Sequence, residues 1–170
     1  DVRDLEKLAR SISDTLSSEF FTKVNVGIGT PVVGVKDLAR SFKEAQTALE
    51  VGKVFDTDKN IVSYDNLGIA RLIYHLPTTL CETFLKEVFK KNSIESLDHE
   101  TLFTIQKFFE NSLNVSETSR KLFVHRNTLV YRLDKIKKLT GLDLREFDHA
   151  IIFKIALMVK KYLAANPTKF

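Results

Sequence analysis

The sequence has few of the features on which secreted and membrane proteins depend. A single cysteine, Cys81, occurs among the 170 residues, so no disulfide can form within the chain, as is usual in a reducing cytoplasm. No apolar run reaches the roughly 18–20 residues that a membrane-spanning helix needs. No signal peptide is recognisable, because Asp1 opens directly onto an amphipathic pattern. We therefore expect a cytoplasmic fragment of a longer protein, with no membrane partner.

The sequence also lacks the residue patterns that hold metals, nucleotides or covalent intermediates. The four histidines, His75, His99, His125 and His149, have no cysteine or carboxylate partner at ligand spacing. Gly27–Gly29 lacks both the third glycine of a dinucleotide fingerprint and the Gly-Lys-Ser/Thr of a phosphate loop, so we interpret it as the exit of a strand. No nucleophile–base pair or carboxylate pair stands out. We expect no catalytic residues, no metal and no cofactor, and hence no enzyme.

Hydrophobic periodicity predicts a mixed α/β region in the first part of the chain. Apolar residues recur every three or four positions in two segments and every second position in another. In chain order we expect a helix over Val2–Glu19, a strand over Val24–Ile28, a helix over Val35–Lys53, a polar turn over Asp56–Asn60 and a strand over Ile61–Tyr64. Two strands are too few for a stable sheet. Further strands are therefore expected before Asp1 or from a partner.

The second part of the chain contains only helical patterns. They cover Leu67–Leu76, Thr78–Lys90, Glu100–Asn111, a helix pair within Val115–Leu139, and Asp148–Ala164, with a polar break over Lys91–Leu97. Asp98 is a suitable N-cap and Gly141 a suitable C-cap. The predicted fold class is mainly α with a small α/β part. It consists of a partial α/β module over residues 1–76 and an all-helical domain over residues 77–170.

Positive charge is concentrated in one stretch of the chain. Residues 114–145 contain 8 basic and 3 acidic side chains, a net charge of +5, whereas the whole chain carries +4. A local basic patch of this kind is typical of proteins that bind a polyanion. Many solvated helix faces are basic too, so charge alone leaves both interpretations open.

The same stretch has the pattern of a helix-turn-helix. Ser116 can cap a short first helix, and Ser119 is a small residue at the point where a second helix would cross. Leu122 and Val124 bracket the expected turn. A surface helix with its charged side in water is the competing interpretation. The conjunction of a small crossing residue, a short turn and a basic second helix favours DNA binding.

The second helix of this pattern combines one apolar stripe with a polar outer surface. Leu129, Leu133 and Ile136 lie at spacings of four and three, which places them on one buried face. Arg126 can bind guanine O6 and N7 with two hydrogen bonds, and Asn127 can bind adenine N6 and N7 in the same way. The other predicted contacts with bases or phosphates are His125, Thr128, Tyr131, Arg132, Lys135 and Lys138.

These residues resemble a known family. Phe123–Ile136, with the sequence FVHRNTLVYRLDKI, and Leu139–Arg145, with LTGLDLR, are similar to the C-terminal helix-turn-helix of PucR/CdaR regulators. These are bacterial transcription factors of the purine-catabolism and sugar-diacid type. The Arg-x-Thr-Leu start is also similar to the Fis-type helix-turn-helix. The resemblance implies that His125, Arg126, Thr128, Tyr131 and Arg132 face the DNA groove. Phe123 departs from the general pattern, in which glycine is common at the turn.

The N-terminal part resembles a second domain of the same regulators. Val24–Pro31, Ser41–Glu50 and Val62–Gly68 are similar to the second half of the degenerate GGDEF-like domain of CdaR-type proteins. The missing strands would then belong to a first half before Asp1. A Gly-Gly-Asp/Glu-Glu-Phe run is absent from the sequence, which argues against nucleotide cyclase activity.

The resemblance implies a sequence-specific, DNA-binding transcriptional regulator. Its expected partners are double-stranded DNA and a second copy of the chain, while an effector would be sensed by a region outside this chain. The alternative is a helical protein-interaction or dimerisation module that does not bind DNA. Salt dependence separates the two, because DNA binding weakens steeply as salt rises and apolar assembly does not.

Overall fold

A computed structural model describes residues 2–55, 58–89, 94 and 97–166. The described residues form eight α-helices and one two-stranded sheet, and they divide into two compact units. The first unit contains Asp1–Pro77 and the C-terminal end from Lys161, and the second contains Thr78–Lys160. The predicted fold class, mainly α with a small α/β part, is confirmed.

The first unit is built around a strand–helix–strand arrangement. Its elements are α1 (Val2–Phe20), β1 (Val26–Ile28), α2 (Leu38–Phe55) after a 3-10 turn at Val35–Asp37, β2 (Ile61–Ser63), a 3-10 turn at Tyr64–Asn66, and α3 (Ile69–Tyr74). The two strands are parallel, with Val26 opposite Ile61 and Ile28 opposite Ser63. Parallel neighbours need a crossover connection, which α2 supplies. Both α1 and α2 pack against the strands.

Gly27, within β1, and Gly29, just after it, allow α2 to pack closely on the sheet. A Cβ atom on Gly27 would lie 2.3 Å from the carbonyl oxygen of Ala45, and one on Gly29 would lie 2.0 Å from that of Ser41. Any side chain would therefore push the helix away from the strand. The Thr30 N–H donates to Glu44 at 3.0 Å, so a carboxylate already binds the amide that follows Gly29. These contacts agree with interpreting Gly27–Gly29 as a strand exit.

The second unit is entirely helical in its described residues. It contains α4 (Thr78–Val88), α5 (His99–Glu110), α6 (Val115–Lys121), α7 (Arg126–Thr140) and most of α8 (Phe147–Ala165). One continuous core holds the unit together, and the Phe89 and Phe153 rings meet edge to face within it. Its fully buried members are Ile105, Phe108, Leu129, Leu133, Ile136, Leu144, Phe153 and Ala156. The core thus joins α5, α7 and α8.

Several predicted boundaries differ from those of the structure. The helix expected over Leu67–Leu76 is shorter, because it begins at Ile69 after the 3-10 turn and ends at Tyr74. Two polar segments are predicted, at Asp56–Asn60 and Lys91–Leu97. Residues 56–57 of the first and residues 91–93 and 95–96 of the second lie outside the described residues. In the part of the chain that the structure describes, none of the helices combines the length and apolar character that crossing a bilayer requires.

Candidate nucleic-acid interface

Asn114 is the N-cap of helix α6. Asn114 has an extended backbone, and its side-chain oxygen accepts a hydrogen bond from the Glu117 N–H at 2.9 Å. The prediction that Ser116 caps this helix is wrong, because Ser116 already lies inside the first turn. An N-cap must stand just before the first helical residue, where its side chain can reach back to the free N–H groups. Asparagine is as good a cap as serine.

Small polar residues line the inner side of α6, where it packs against α7. Thr118 and Ser119 are both buried. Their hydroxyl groups donate to backbone carbonyls of their own helix, Thr118 to Asn114 at 2.7 Å and Ser119 to Ser116 at 2.9 Å. Neither side chain therefore loses a hydrogen bond on burial. Ser119 is buried, as its predicted place at the crossing of the two helices requires.

The turn between α6 and α7 is a Schellman motif. The Phe123 N–H donates to the Arg120 carbonyl at 3.1 Å, and the Val124 N–H donates to the Ser119 carbonyl at 3.0 Å. Phe123 itself takes a left-handed backbone with φ of 55°, which is the position that glycine usually occupies in this motif. Leu122 and Val124 both pack against the hydrophobic core, as predicted for residues that bracket the turn. These hydrogen bonds and core contacts fix the bend between α6 and α7.

His125 stands just before Arg126, the first residue of α7. The backbone of His125 is extended, and its Nδ1 accepts a hydrogen bond from the Asn127 N–H at 3.2 Å. His125 is therefore the N-cap of α7. The helix ends at Gly141, which has a left-handed φ of 80° and donates its N–H to the Lys137 carbonyl at 2.8 Å. The predicted glycine C-cap is confirmed.

The inner face of α7 is the apolar stripe that the sequence predicts. Leu129, Leu133 and Ile136 are each at most 1% exposed and belong to the core of the unit. Burying such side chains contributes roughly 1.5–3 kcal/mol each. The rotation of α7 about its own axis is therefore fixed, and so is the set of residues on its opposite face.

The outer face of α7 is polar and accessible. Arg126, Asn127, Thr128 and Tyr131 are all exposed, with 70% of Tyr131 open to solvent. Asn127, Tyr131 and Lys138 share one side of the helix, because they are separated by four and seven residues. This side lies opposite the buried stripe. The structure thus presents three hydrogen-bonding side chains at the start of α7 and an aromatic residue one turn later.

Two predicted phosphate contacts of α7 bind acidic residues at the start of α5. Arg132 is held by the Glu100 carboxylate and donates to Thr104 Oγ1 at 3.1 Å, leaving about 26% of its side chain exposed. Lys135 Nζ lies 3.9 Å from Asp98 Oδ2, and both side chains remain half exposed. Asp98 also accepts from the Thr101 N–H at 2.7 Å, which confirms it as the predicted N-cap of α5. Both basic residues therefore link α7 to α5.

A cluster around Asp143 lies just after α7 and was not predicted from the sequence. Arg145 donates to both Asp143 oxygens, at 2.8 and 2.9 Å, and to Asp134 at 2.7 Å. Lys137 donates to Asp143 at 3.1 Å. The hydrogen bonds from the Arg145 guanidinium hold the pKa of the Asp143 carboxyl well below its usual range. The pairs in this cluster are two, six and eleven positions apart, and periodicity does not reveal such pairs.

Cys81, the one cysteine of the chain, lies outside the helix-turn-helix. Cys81 is buried, and its burial raises the pKa of the thiol, which keeps it in the less reactive protonated form. Within the described ranges, no three side chains among His, Cys, Asp and Glu come together as a metal site would require. The exposed surface of α6 and α7 is therefore the best candidate for a functional site, and its architecture is that of a helix-turn-helix protein.

Comparisons with known families agree with this class. The PucR C-terminal helix-turn-helix domain matches residues 101–159, which include α6 and α7. A GGDEF-like domain matches residues 1–51, which include α1, β1 and most of α2. Most of the segments for which the sequence suggested these domains lie within the two matches, and Val62–Gly68 lies outside them.

Similar proteins have names that refer to gene regulation. The carbohydrate diacid regulator of Escherichia coli is 29% identical over 94% of this chain and 41% of its own length. The purine catabolism regulatory protein of Bacillus subtilis is 26% identical over 88% of this chain and 28% of its own. The DNA-binding transcriptional activator AdeR of Bacillus subtilis is 28% identical over 93% and 38%. The chain spans less than half the length of each.

The chain thus joins a region similar to a GGDEF-like domain with a PucR-type helix-turn-helix, and it is similar to regulators of the PucR/CdaR type. The resemblance drawn from the sequence is confirmed. The roles of individual side chains in binding DNA stay predictions.

Proposed function

We propose that this chain binds double-stranded DNA in a sequence-specific way and places α7 in the major groove. The observation that carries the proposal is the division of α7 into two faces. Leu129, Leu133 and Ile136 are fully buried, which leaves Arg126 and Asn127 exposed at the start of the helix. In helix-turn-helix proteins the N-terminal residues of the second helix contact base edges. Arginine and asparagine are the side chains best suited to guanine and adenine.

The other exposed residues complete the interface in this proposal. Thr128 and Tyr131 contact a thymine methyl group or a phosphate, and His125 binds a phosphate beside the helix N-terminus, where free N–H groups favour anions. The remaining phosphate contacts are Arg132, Lys135 and Lys138. Arg132 and Lys135 can contribute only by sharing their charge between α5 and the phosphates, since each already has an acidic partner. Lys138 extends the contact to the last turn of α7.

We further propose that the chain acts as a homodimer on DNA. Two copies would place their α7 helices about 34 Å apart on one face of the duplex. In this proposal residues 77–170 form the DNA-binding domain, and residues 1–76 form a partial GGDEF-like module for dimerisation or signal relay. The chain acts in the cytoplasm, catalyses no reaction, and responds to an effector that a region outside it senses.

Salt dependence of DNA affinity tests this function. Fluorescence anisotropy with a labelled duplex should show affinity falling steeply and linearly on a log–log plot against salt, because bound counterions are released. In Lys138→Ala the slope should drop by about 1, since one phosphate contact is lost. Lys43→Ala on α2 removes the same charge from an exposed helical site in the first unit and should leave the slope unchanged.

The alternative function predicts a different outcome. A helical protein-interaction module would show no saturable DNA binding, and its self-association would change little with salt because apolar burial is not screened. Equal slopes for the wild type, Lys138→Ala and Lys43→Ala would contradict the proposed position of α7. The absence of saturable DNA binding, together with self-association that changes little with salt, would favour the alternative.

A further inference from the structure

Phe123 is an aromatic residue whose side chain takes almost no part in the packing of the fold. It lies in the turn between α6 and α7, and 95% of its surface is exposed. Its backbone is left-handed, with φ of 55°. Glycine adopts this conformation without the steric cost that a Cβ atom brings. An exposed ring gains nothing from burial, so neither the backbone nor the core explains a phenylalanine here.

The position of Phe123 is nevertheless well fixed. Its N–H and that of Val124 both hydrogen-bond to the last turn of α6. Leu122 and Val124 on either side pack against the hydrophobic core. The ring is thus held outward by a rigid turn rather than by a loose loop, which is what a contact with an external partner requires.

Exposure and a positive φ do not by themselves identify that partner. Phe21 has both properties, with 92% exposure and φ of 53°, and it follows α1 in the first unit. What distinguishes Phe123 is its place three residues before Arg126. Consecutive Cα atoms are 3.8 Å apart, so the Cα atoms of these two residues are separated by at most about 11 Å. The major groove is about 12 Å wide.

We propose that Phe123 makes an apolar contact with DNA, namely with the C5-methyl group of a thymine beside the bases that Arg126 and Asn127 read. Phenylalanine is one of the side chains that contact this methyl group in the major groove. The inference rests on the proposed function, because it needs the start of α7 to lie at the groove. It adds a preference for thymine at one position of the site.

The test compares two matched variants of the whole chain on a duplex selected from random DNA. Phe123→Gly and Phe21→Gly each replace an exposed phenylalanine at nearly the same φ. Both should raise the unfolding midpoint, because glycine accepts the left-handed backbone. Only Phe123→Gly should weaken DNA binding, by about fivefold, which is less than the loss expected for a two-hydrogen-bond base contact.

A second measurement changes the DNA instead of the protein. Replacing thymines of the selected site one at a time with deoxyuridine removes a single methyl group. One such position should weaken wild-type binding about as much as Phe123→Gly does, and the same replacement should not weaken the variant further. If no position has this effect, the inference is overturned even where the glycine variant folds poorly.

The outcomes also separate this inference from the proposed function. If Arg126→Ala weakens binding while Phe123→Gly binds DNA like the wild type, α7 still reads the groove but Phe123 serves another partner, such as a protein. If the wild type selects no DNA sequence at all, the proposed function fails and this inference fails with it.

Discussion

Arg145 and Asp143 form a two-pronged ion pair at the end of the helix-turn-helix, with Nε and Nη2 of Arg145 at 2.8 and 2.9 Å from the two Asp143 oxygens. The Asp143 side chain is only 8% exposed. The Arg145 backbone N–H and Lys137 donate to the same carboxylate. Asp143 thus connects the last turn of α7 with the segment that leads into α8.

Asp143→Asn should lower the free energy of unfolding by about 1–3 kcal/mol at neutral pH, because hydrogen bonds to a buried charged group are lost. Since the pKa of Asp143 is lowered in the folded state, its stabilisation is complete above the unfolded pKa of about 3.9. It is then lost as the pH falls further. Urea unfolding from pH 7 to pH 2 should show the difference between wild type and variant shrinking below about pH 4.

Asp134→Asn is the matched control for that experiment. Asp134 binds the same arginine at 2.7 Å, but 56% of its side chain is exposed, and exposed ion pairs contribute about 0–1 kcal/mol. Asp134→Asn should therefore lower the free energy of unfolding by less than Asp143→Asn does. A difference between wild type and Asp143→Asn that stays constant down to pH 2 would contradict the role given to Asp143.

Leu133→Ala should destabilise the helical unit by about 2–5 kcal/mol, because it leaves a cavity in a fully packed core. Tyr131→Ala, two residues earlier on α7, removes a larger side chain from the exposed face. It should change stability by no more than about 0.5 kcal/mol while weakening DNA binding. Chemical unfolding and anisotropy on both variants check the division of α7 into two faces. Similar destabilisation by the two changes would show that this division is wrong.

Local chemistry explains which parts of this architecture could be predicted. The stripe of Leu129, Leu133 and Ile136 follows from helical spacing alone. Asp98 and Gly141 are caps whose residue types match their positions, and the structure has them as expected. Each of these features depends on residues a few positions apart, which the sequence displays directly.

Features that depend on distant residues were not predictable. The sequence predicts that Arg132 contacts DNA, but it does not reveal that Arg132 also donates to Thr104, 28 residues earlier. That contact exists because the shared core brings α5 and α7 together, and periodicity within one helix contains no such information. The error at Ser116 is of another kind, since Asn114 and Ser116 are both good caps. Only the backbone decides which of them precedes the first turn.

Glu100→Gln should strengthen DNA binding severalfold. The change removes a carboxylate that repels phosphates and competes for Arg132. Because Glu100 is 70% exposed, the loss of its ion pair should cost less than about 1 kcal/mol in unfolding free energy. Anisotropy at two salt concentrations, together with urea unfolding, measures both effects.

Glu110→Gln provides the comparison for Glu100. Glu110 lies on the same helix, forms an ion pair with Lys107 at 2.6 Å and is also half exposed. It is ten residues away, which is about 15 Å along the helix. This variant should leave DNA affinity unchanged. If Glu100→Gln also has no effect, Arg132 does not reach phosphate and serves only to join α7 to α5.

Methylation interference tests most directly whether α7 lies in the major groove with Arg126 on a guanine. Methyl groups at guanine N7 project into the major groove, and those at adenine N3 project into the minor groove. We predict that N7 methylation of one guanine in each half-site blocks wild-type binding and has no further effect on Arg126→Ala. Interference at adenine N3 without any at guanine N7 would contradict the account.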